Sequence, residues 1–142
     1  MAETPGEYNA KIIAEFHASE GRVGGPWEGI PLLLLHHTGA KSATARLNPV
    51  AYIRDDSRYF IWAANGGAPQ HPAWYHNLKA HPVTRIEVGN ETVGVVAEEE
   101  MTGAERDRLF ARAADRYPQL ADAALKTDRV FPIVVLKPTP AS

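Results

Sequence analysis

Apolar residues gather in six short segments separated by polar turns, a pattern typical of β-strands joined by short connections. The most apolar of them, "IPLLLLHHTG", predicts a buried strand that ends at Gly39. The next, residues 45–54, contains Pro49, which restricts a strand to a sheet edge or a bulge. The other four predicted strands are residues 59–64, 83–88, 91–97 and 131–138.

Helical spacing of apolar residues marks further stretches of the chain. Residues 7–19 carry apolar side chains one turn apart, and residues 73–80 follow Pro72, which favours the start of a helix. In "MTGAERDRLFARAADRYP", Thr102 is a candidate N-cap with Glu105 three residues later, which is the capping-box pattern. We therefore expect helices near the start, near the middle and late in the chain.

The connections between these segments predict the fold class. Short hairpin signals such as Gly89-Asn90 imply antiparallel strands, and the chain lacks the strand–helix–strand alternation of a doubly wound sheet. Six antiparallel strands with few free edges indicate a barrel. We expect residues 1–142 to form one domain, in which residues 1–29 are an N-terminal helix and linker. The prediction is a single-domain, mainly β (α+β) barrel of six antiparallel strands.

Composition narrows the classes of function. The chain has 15 basic and 17 acidic residues, a net charge of -2. It therefore lacks the overall positive charge that is typical of nucleic-acid-binding proteins. It has no cysteine, which excludes disulfides, thiol nucleophiles and thiolate metal sites. No apolar segment approaches the roughly 20 residues that span a membrane. We expect a cytoplasmic protein without stable membrane insertion, although an apolar stripe of Ile12, Ile13 and Phe16 leaves peripheral membrane contact open.

The segment "TGAKSATARLNPV" combines small residues with polar donors. Lys41, Ser42 and Arg46 can offer an ammonium, a hydroxyl and a guanidinium to phosphate or carboxylate oxygens. It is not the phosphate loop of nucleotide hydrolases, because Ala40 separates Gly39 from the lysine. The alternative is a basic hairpin turn that water solvates.

Residues 65–82, "NGGAPQHPAWYHNLKAHP", hold two glycines and three prolines between predicted strands. The glycines permit backbone geometries that other residues avoid, and the prolines stiffen the approach to a short helix. Trp74 and Tyr75 on that helix could cover a flat heterocycle. The alternative is a loop whose aromatic side chains pack into the core.

Metal and hydrolase chemistry lack their usual patterns in this sequence. His71, His76 and His81 are spaced by five residues, which places successive side chains off one helical face. There is no His-x-x-x-His pair and no Gly-x-Ser-x-Gly elbow. We predict no metal site and no nucleophilic hydrolysis.

Three strings together resemble the deazaflavin-dependent nitroreductase family of actinobacteria: "VGGPWEGIPLLLLHHTGAKSATARLNPV", "AANGGAPQHPAWYHNLKAHP" and "TDRVFPIVVLKP". The similarity runs from about Phe16 to Pro138. It implies a split β-barrel of the flavin-reductase type, related to flavin-mononucleotide oxidases. It also implies the cofactor coenzyme F-420, an 8-hydroxy-5-deazaflavin with a phosphate-linked polyglutamate tail. The reduced form would donate a hydride to a small-molecule acceptor such as a quinone, an enone, a coumarin-type lactone or a nitroaromatic.

The resemblance also implies roles for individual residues. The residues implied for the phosphate and acidic tail are Lys41, Ser42 and Arg46, with the backbone of Leu47, Asn48, Pro49, Val50 and Ala51. The residues implied along the deazaflavin are Ala63, Ala64, Asn65 and Gly66, and those completing its wall are Ala73, Trp74, Tyr75 and Asn77. Tyr117 would bind the cofactor near the ring and, with Leu120, would lie at the substrate mouth. The Tyr117 hydroxyl is one candidate proton donor beside a backbone N–H or water. No dedicated catalytic acid stands out.

This chain departs from the family pattern at two places. Relatives usually carry a basic residue at Ala40 and a glycine at Ala43, so tail binding and the turn are expected to differ. Leu120 and Ala123 stand where the nitroimidazole-activating member has tyrosines, which favours flat apolar quinones or enones over nitro prodrugs. Two alternatives stay open: a flavin-mononucleotide oxidoreductase of the same barrel, and a non-catalytic carrier of deazaflavin or a haem-type group. We expect a monomer.

Overall fold

The computed structural model describes residues 5–24, 31–55, 57–64, 67–101 and 103–139. Asn65, Gly66 and Thr102, together with part of the predicted N-terminal linker, lie outside the described residues. The helices are α1 (Pro5–Ala18), α2 (Ala73–Ala80), α3 (Gly103–Arg116) and α4 (Pro118–Ala124). The strands are β1 (Leu32–Thr38), β2 (Ala45–Ala51), β3 (Ile53–Asp55), β4 (Arg58–Trp62), β5 (Val83–Val88), β6 (Glu91–Met101) and β7 (Ile133–Pro138).

The described strands form one antiparallel sheet in the order β2-β1-β5-β6-β7-β4-β3. Its two end strands, β2 and β3, are consecutive in the chain and are separated only by Tyr52. A single residue cannot cross an open sheet, so the sheet must curl until its two edges lie side by side. The result is a flavin-reductase-like split barrel with α+β content, which confirms the predicted fold class.

The predicted strand count was wrong, because residues 45–54 are two strands rather than one. β2 pairs with β1 as far as the Leu32–Ala51 pair, and β3 then pairs with β4 from the Ile53–Phe60 pair onward. The apolar pattern continues through Tyr52, so nothing local marks the change of partner. The described residues therefore contain seven strands, not six. That residues 1–142 make one domain stays a prediction.

Two local features of the sheet follow from its chemistry. β2 is an end strand in the sheet order, so Pro49, which has no N–H to donate, sits where the prediction put it, on a sheet edge. β6 runs to Met101, further than predicted, with an irregular register between Ala97 and Glu100. Such an irregularity bends a strand and helps a sheet to curl.

The core explains why β1 is apolar at consecutive positions. Leu33 and Leu35 point into the barrel, where they join Ile86, while Leu32 and Leu34 pack against α1 on the other face. Ile12 and Phe16 of α1 are buried there, so the apolar stripe of this helix is used in packing. In the part of the chain that the structure describes, no helix is long and apolar enough to cross a membrane.

A chain of hydrogen bonds, buried at its centre, connects the β1–β2 turn to α2. The backbone N–H of Ala40 donates to Asn77 Oδ1 at 2.9 Å, and Asn77 Nδ2 donates to His37 Nδ1 at 3.0 Å. His37 Nε2 then donates to Asn48 Oδ1 at 2.8 Å, because an amide oxygen can only accept. His37 and Asn77 are buried, and both nitrogens of the imidazole are used in its neutral form. Burial lowers the pKa of His37, against the hydrogen bond to Asn48, which raises it.

We expect His37 to make folding stability pH-dependent. Because its pKa is lowered in the folded state, His37 takes up a proton at higher pH in the unfolded chain than in the folded one. Uptake in the unfolded chain begins as pH falls toward the model-peptide value of about 6.5. The free energy of unfolding should then fall until the pH is below the folded-state pKa. In His37→Gln this component should be missing, so stability should change less between about pH 7 and pH 5. At pH 8 the variant should be less stable by roughly 1–3 kcal/mol, because a buried amide loses its partner.

Urea unfolding followed by tryptophan fluorescence at several pH values measures this difference. His81→Gln is the matched control, since His81 is exposed. Parallel pH curves for the wild type and His37→Gln would contradict the assignment of His37 as a buried neutral group.

Candidate active site

A cavity of about 430 Å³ lies where the end of β2 meets α2 and α4. Its volume is within the range of small-molecule sites. The residues that line it are mostly apolar or aromatic, and they come from distant parts of the chain: Pro49, Val50, Ala51, Trp62, Ala64, Trp74, Tyr117, Gln119, Leu120, Ala123 and Lys126. Seven of these were predicted at the cofactor or the substrate mouth.

The cavity has flat aromatic walls. Trp74 is at the second position of α2, which follows the extended Pro72 at its N-cap. The ring of Trp62, at the end of β4, lies 5.2 Å from the ring of Tyr117 between their centroids. Walls of this kind suit a planar heterocycle better than a flexible chain, because flat rings stack with little loss of freedom.

Tyr117 lines the cavity and also contacts Tyr52, the residue between β2 and β3. Its hydroxyl donates to the backbone carbonyl of Tyr52 at 2.8 Å. Burial raises the pKa of Tyr117, so this phenol keeps its proton. The hydroxyl predicted as a candidate proton donor is thus held by a backbone carbonyl. Beyond Tyr117 lies a second cavity of about 670 Å³, whose lining includes Arg54, Arg112 and Arg116.

Of the residues predicted to bind the anionic tail, Lys41 and Ser42 lie on the turn between β1 and β2, and Arg46 follows at the start of β2. Lys41, Ser42 and Arg46 are all exposed. The turn is closed by hydrogen bonds from Gly39 N to Thr44 O and from Ala43 N to Gly39 O, both 2.9 Å. Ala43 has a φ of 56°, the left-handed conformation that the usual glycine adopts freely. The expected difference in the turn is therefore one of strain, of order 1–2 kcal/mol, rather than of path.

Strand β2 leads from the cationic turn to the cavity. Arg46 is near the start of β2 and Pro49 to Ala51 are at its end. At a rise of about 3.3 Å per residue, the backbone of Arg46 is roughly 10–13 Å from Pro49 and Val50. The hydrogen bond from Ala40 to Asn77 holds the turn against α2, which carries Trp74. One elongated molecule with a flat head and an anionic tail can therefore contact both places, so the residues present fit coenzyme F-420.

Several predicted residues do not line this cavity. They are Leu47, Asn48, Ala63, Ala73, Tyr75 and Asn77. Tyr75 packs in the barrel core, with its ring 4.7 Å from His71 between centroids and its hydroxyl bonded to Lys79. Asn48 and Asn77 belong to the polar chain around His37. Both side chains of the aromatic pair pack in the barrel core, and Trp74 also lines the cavity.

Gly67 shows why this segment needs a glycine. Its φ is +85°, and a Cβ there would lie 2.7 Å from the carbonyl oxygen of Ala123 and 3.0 Å from Lys126 Cβ. No other residue lets the loop pack this closely against the end of α4. The close packing brings Lys126 to the cavity mouth.

Sequence reasoning missed Trp62, Gln119, Lys126 and Arg129. Trp62 carried a usable signal, since it shares a strand face with Phe60 at the end of an aromatic strand. Lys126 is the charged side chain among the described lining residues, and it follows α4 without any recognisable motif. Arg129 does not line the cavity, but its guanidinium binds the carbonyls of Ala63 and Ala64.

Besides His37, three histidines have side-chain partners: His17, His36 and His71. Glu87 bridges His17 and His36, with both Nε2–carboxylate distances at 2.8 Å. Burial works to raise the pKa of Glu87, but the hydrogen bonds from the two histidines outweigh it and lower that pKa. His71 Nδ1 accepts from Arg129. Within the described ranges, no group of three His, Asp or Glu residues is arranged to hold a metal ion.

Comparison with known proteins agrees with this geometry. A family model described as F420H(2)-dependent quinone reductase matches residues 10–138. An F420H(2)-dependent quinone reductase of Mycobacterium tuberculosis is 39% identical over 132 residues, covering 87% of this chain and 85% of the relative.

Two solved structures are similar over most of the chain. One, an F420-H2 dependent reductase, has a TM-score of 0.68 and 34% identity, covering 75% of this chain and 94% of that chain. Another, described as a domain-swapped dimer, has a TM-score of 0.69 and 30% identity, covering 94% of this chain and all of that chain (100%). The resemblance drawn from the sequence motifs is confirmed, and with it the assignment to F-420-dependent oxidoreductases. The chain belongs to the F420H(2)-dependent quinone reductase family.

Proposed function

We propose that this chain transfers a hydride from reduced coenzyme F-420 to a quinone-type acceptor in the cavity between β2, α2 and α4. The observation that carries this proposal is the aromatic cavity joined through β2 to a cationic turn. Family membership supplies the identity of the cofactor. When bound, the reduced deazaflavin supplies the hydride.

The residues of the chain bind and orient the cofactor. Lys41, Ser42 and Arg46 are exposed donors, suited to a phosphate and to glutamate carboxylates. Backbone from Pro49 to Ala51 and at Ala64 would lie along the ring, with Trp74 on one side. Holding donor and acceptor in contact is the main contribution that a protein makes to hydride transfer.

The acceptor end of the cavity is apolar, with one cation. Leu120 and Ala123 suit a flat quinone. An acceptor oxygen gains negative charge as the hydride arrives, and the ammonium of Lys126 can stabilise that charge. A proton from water then completes the hydroquinone, because the Tyr117 hydroxyl is held by Tyr52. Enones and coumarin-type lactones share this chemistry, and nitroaromatics are expected to be poorer acceptors.

The direct test is turnover. Purified protein mixed with reduced F-420 and menadione should restore the absorbance of oxidised F-420 over many cycles. Tight binding of flavin mononucleotide without binding of F-420 would favour the flavin oxidoreductase instead. Binding of F-420 without turnover over a broad acceptor panel would favour a carrier.

Lys41→Ala tests the cationic turn. Loss of one charge-assisted contact, about 1.5–3 kcal/mol, should weaken binding of long-tailed F-420 by roughly 10–100-fold. Binding of a tail-less deazaflavin should not change. Fluorescence titration measures both affinities, and Lys137→Ala on β7, an exposed lysine several strands away from the turn, is the control. An equal loss for both ligands would contradict the proposed tail site.

Leu120→Tyr tests the substrate mouth. The substitution makes this wall of the cavity polar, as in the nitroimidazole-activating relative, so kcat/KM should shift from menadione toward nitro compounds. F-420 affinity should stay within about twofold, because Leu120 is proposed to face the acceptor. Steady-state assays over both acceptor classes, with the melting temperature as a check on folding, measure this. An unchanged acceptor profile would exclude Leu120 from the mouth.

The proposal keeps the expectations of a monomeric single domain, 1–142, in the cytoplasm. The partner is a small-molecule acceptor. One similar solved structure is described as a domain-swapped dimer, so the monomer stays a prediction.

A further inference from the structure

One arginine, Arg129, donates hydrogen bonds to several backbone carbonyls just after β4. Arg129 Nη1 donates to Ala63 O at 2.8 Å, Nη2 donates to Ala64 O at 2.6 Å, and Nε donates to Ala68 O at 3.1 Å. A further bond runs from Nη1 to His71 Nδ1 at 2.6 Å. The four acceptors lie 58–66 positions away in the chain, and one of them belongs to the cavity residue Ala64.

This guanidinium is itself held rigidly. Its central carbon lies 4.7 Å from the ring centroid of Phe131, a fully buried residue beside β7. Burial lowers the pKa of Arg129, yet an arginine stays charged in proteins. Hydrogen bonds from a charged donor are about twice as strong as neutral ones, so the cluster fixes the backbone at Ala63, Ala64 and Ala68.

The direction of these bonds matters for a ligand. Because a peptide is planar and trans, a carbonyl at Ala63 that faces the guanidinium turns the N–H of Ala64 the opposite way. In total, three carbonyl oxygens, those of Ala63, Ala64 and Ala68, point toward the arginine. The dione edge of a deazaflavin carries carbonyl oxygens, which need donors and are repelled by other carbonyls.

We propose that Arg129 is a positioning residue for the deazaflavin ring. It holds the carbonyls of Ala63, Ala64 and Ala68 toward its guanidinium, so that the backbone N–H of Ala64, just after β4, faces the acceptor edge of the ring. Arg129 itself does not touch the cofactor. This inference rests on the proposed function, and it places ring recognition at a residue outside the cavity.

Lysine cannot replace this arginine. The acceptors are spread around a planar fork, and a single ammonium nitrogen cannot reach all of them in those directions. Arg106 provides a matched comparison: it donates to Phe131 O from Nη2 at 2.9 Å, and its guanidinium carbon lies 4.5 Å from the ring centroid of Phe110. It makes the same kind of contact without binding the backbone that lines the cavity.

Arg129→Lys and Arg106→Lys should therefore differ. Affinities for long-tailed F-420 and for a tail-less deazaflavin are measured by fluorescence, with the melting temperature of each variant. Arg129→Lys should weaken both ligands by the same factor, about tenfold, because the loss is at the ring. Arg106→Lys should lower the melting temperature without changing either affinity. The single-turnover rate of hydride transfer should also fall in Arg129→Lys alone.

Unchanged affinities in Arg129→Lys, or an equal loss in Arg106→Lys, would overturn the inference. If the wild type binds neither ligand, the proposed function fails first, so the two failures are distinguishable. Should Arg129→Lys not fold, His71→Ala removes one acceptor and keeps the charge. It should lower both affinities by the same smaller factor, and a loss confined to the long-tailed ligand would contradict a role at the ring.

Discussion

The hydrogen-bond chain through His37 is the constraint on which the site depends. It joins the N–H of Ala40 in the β1–β2 turn to Asn77 of α2, and it continues through the imidazole to Asn48 on β2. His37 and Asn77 are buried and Asn48 is partly buried, so losing one partner would leave polar groups unpaired away from water. These hydrogen bonds thereby fix the distance between the cationic turn and the helix that carries Trp74.

Closure of the barrel supplies the rest of the geometry. β2 and β3 are the two ends of the sheet order, and Tyr52 alone separates them, so the sheet edges must meet at this point. The Tyr117 hydroxyl holds the Tyr52 carbonyl there, and the Tyr117 ring forms a cavity wall. Arg129 holds the backbone at the end of β4. Tyr117 and Arg129 thus bind backbone carbonyls of residues remote in sequence. Every residue has such a carbonyl, so the sequence does not mark these partners.

These contacts explain how much of the fold and of the site could be predicted from the sequence. Pro49, the short helix after Pro72 and Gly67 carry local signals, and each agrees with the structure. The break at Tyr52, the burial of Tyr75 and the contacts of Arg129 depend on partners from seven to 66 positions away. No local pattern encodes such pairings, so the cavity wall was predicted in part and its supports were not.

The most direct test of the account is a crystal structure with oxidised F-420 bound. The account predicts the deazaflavin against Trp74 in the cavity between β2, α2 and α4, with the tail phosphate along β2 at Lys41 and Arg46. A structure with the tail in the neighbouring cavity of Arg54 and Arg112 would contradict it, as would a ring bound outside the tryptophan-lined cavity.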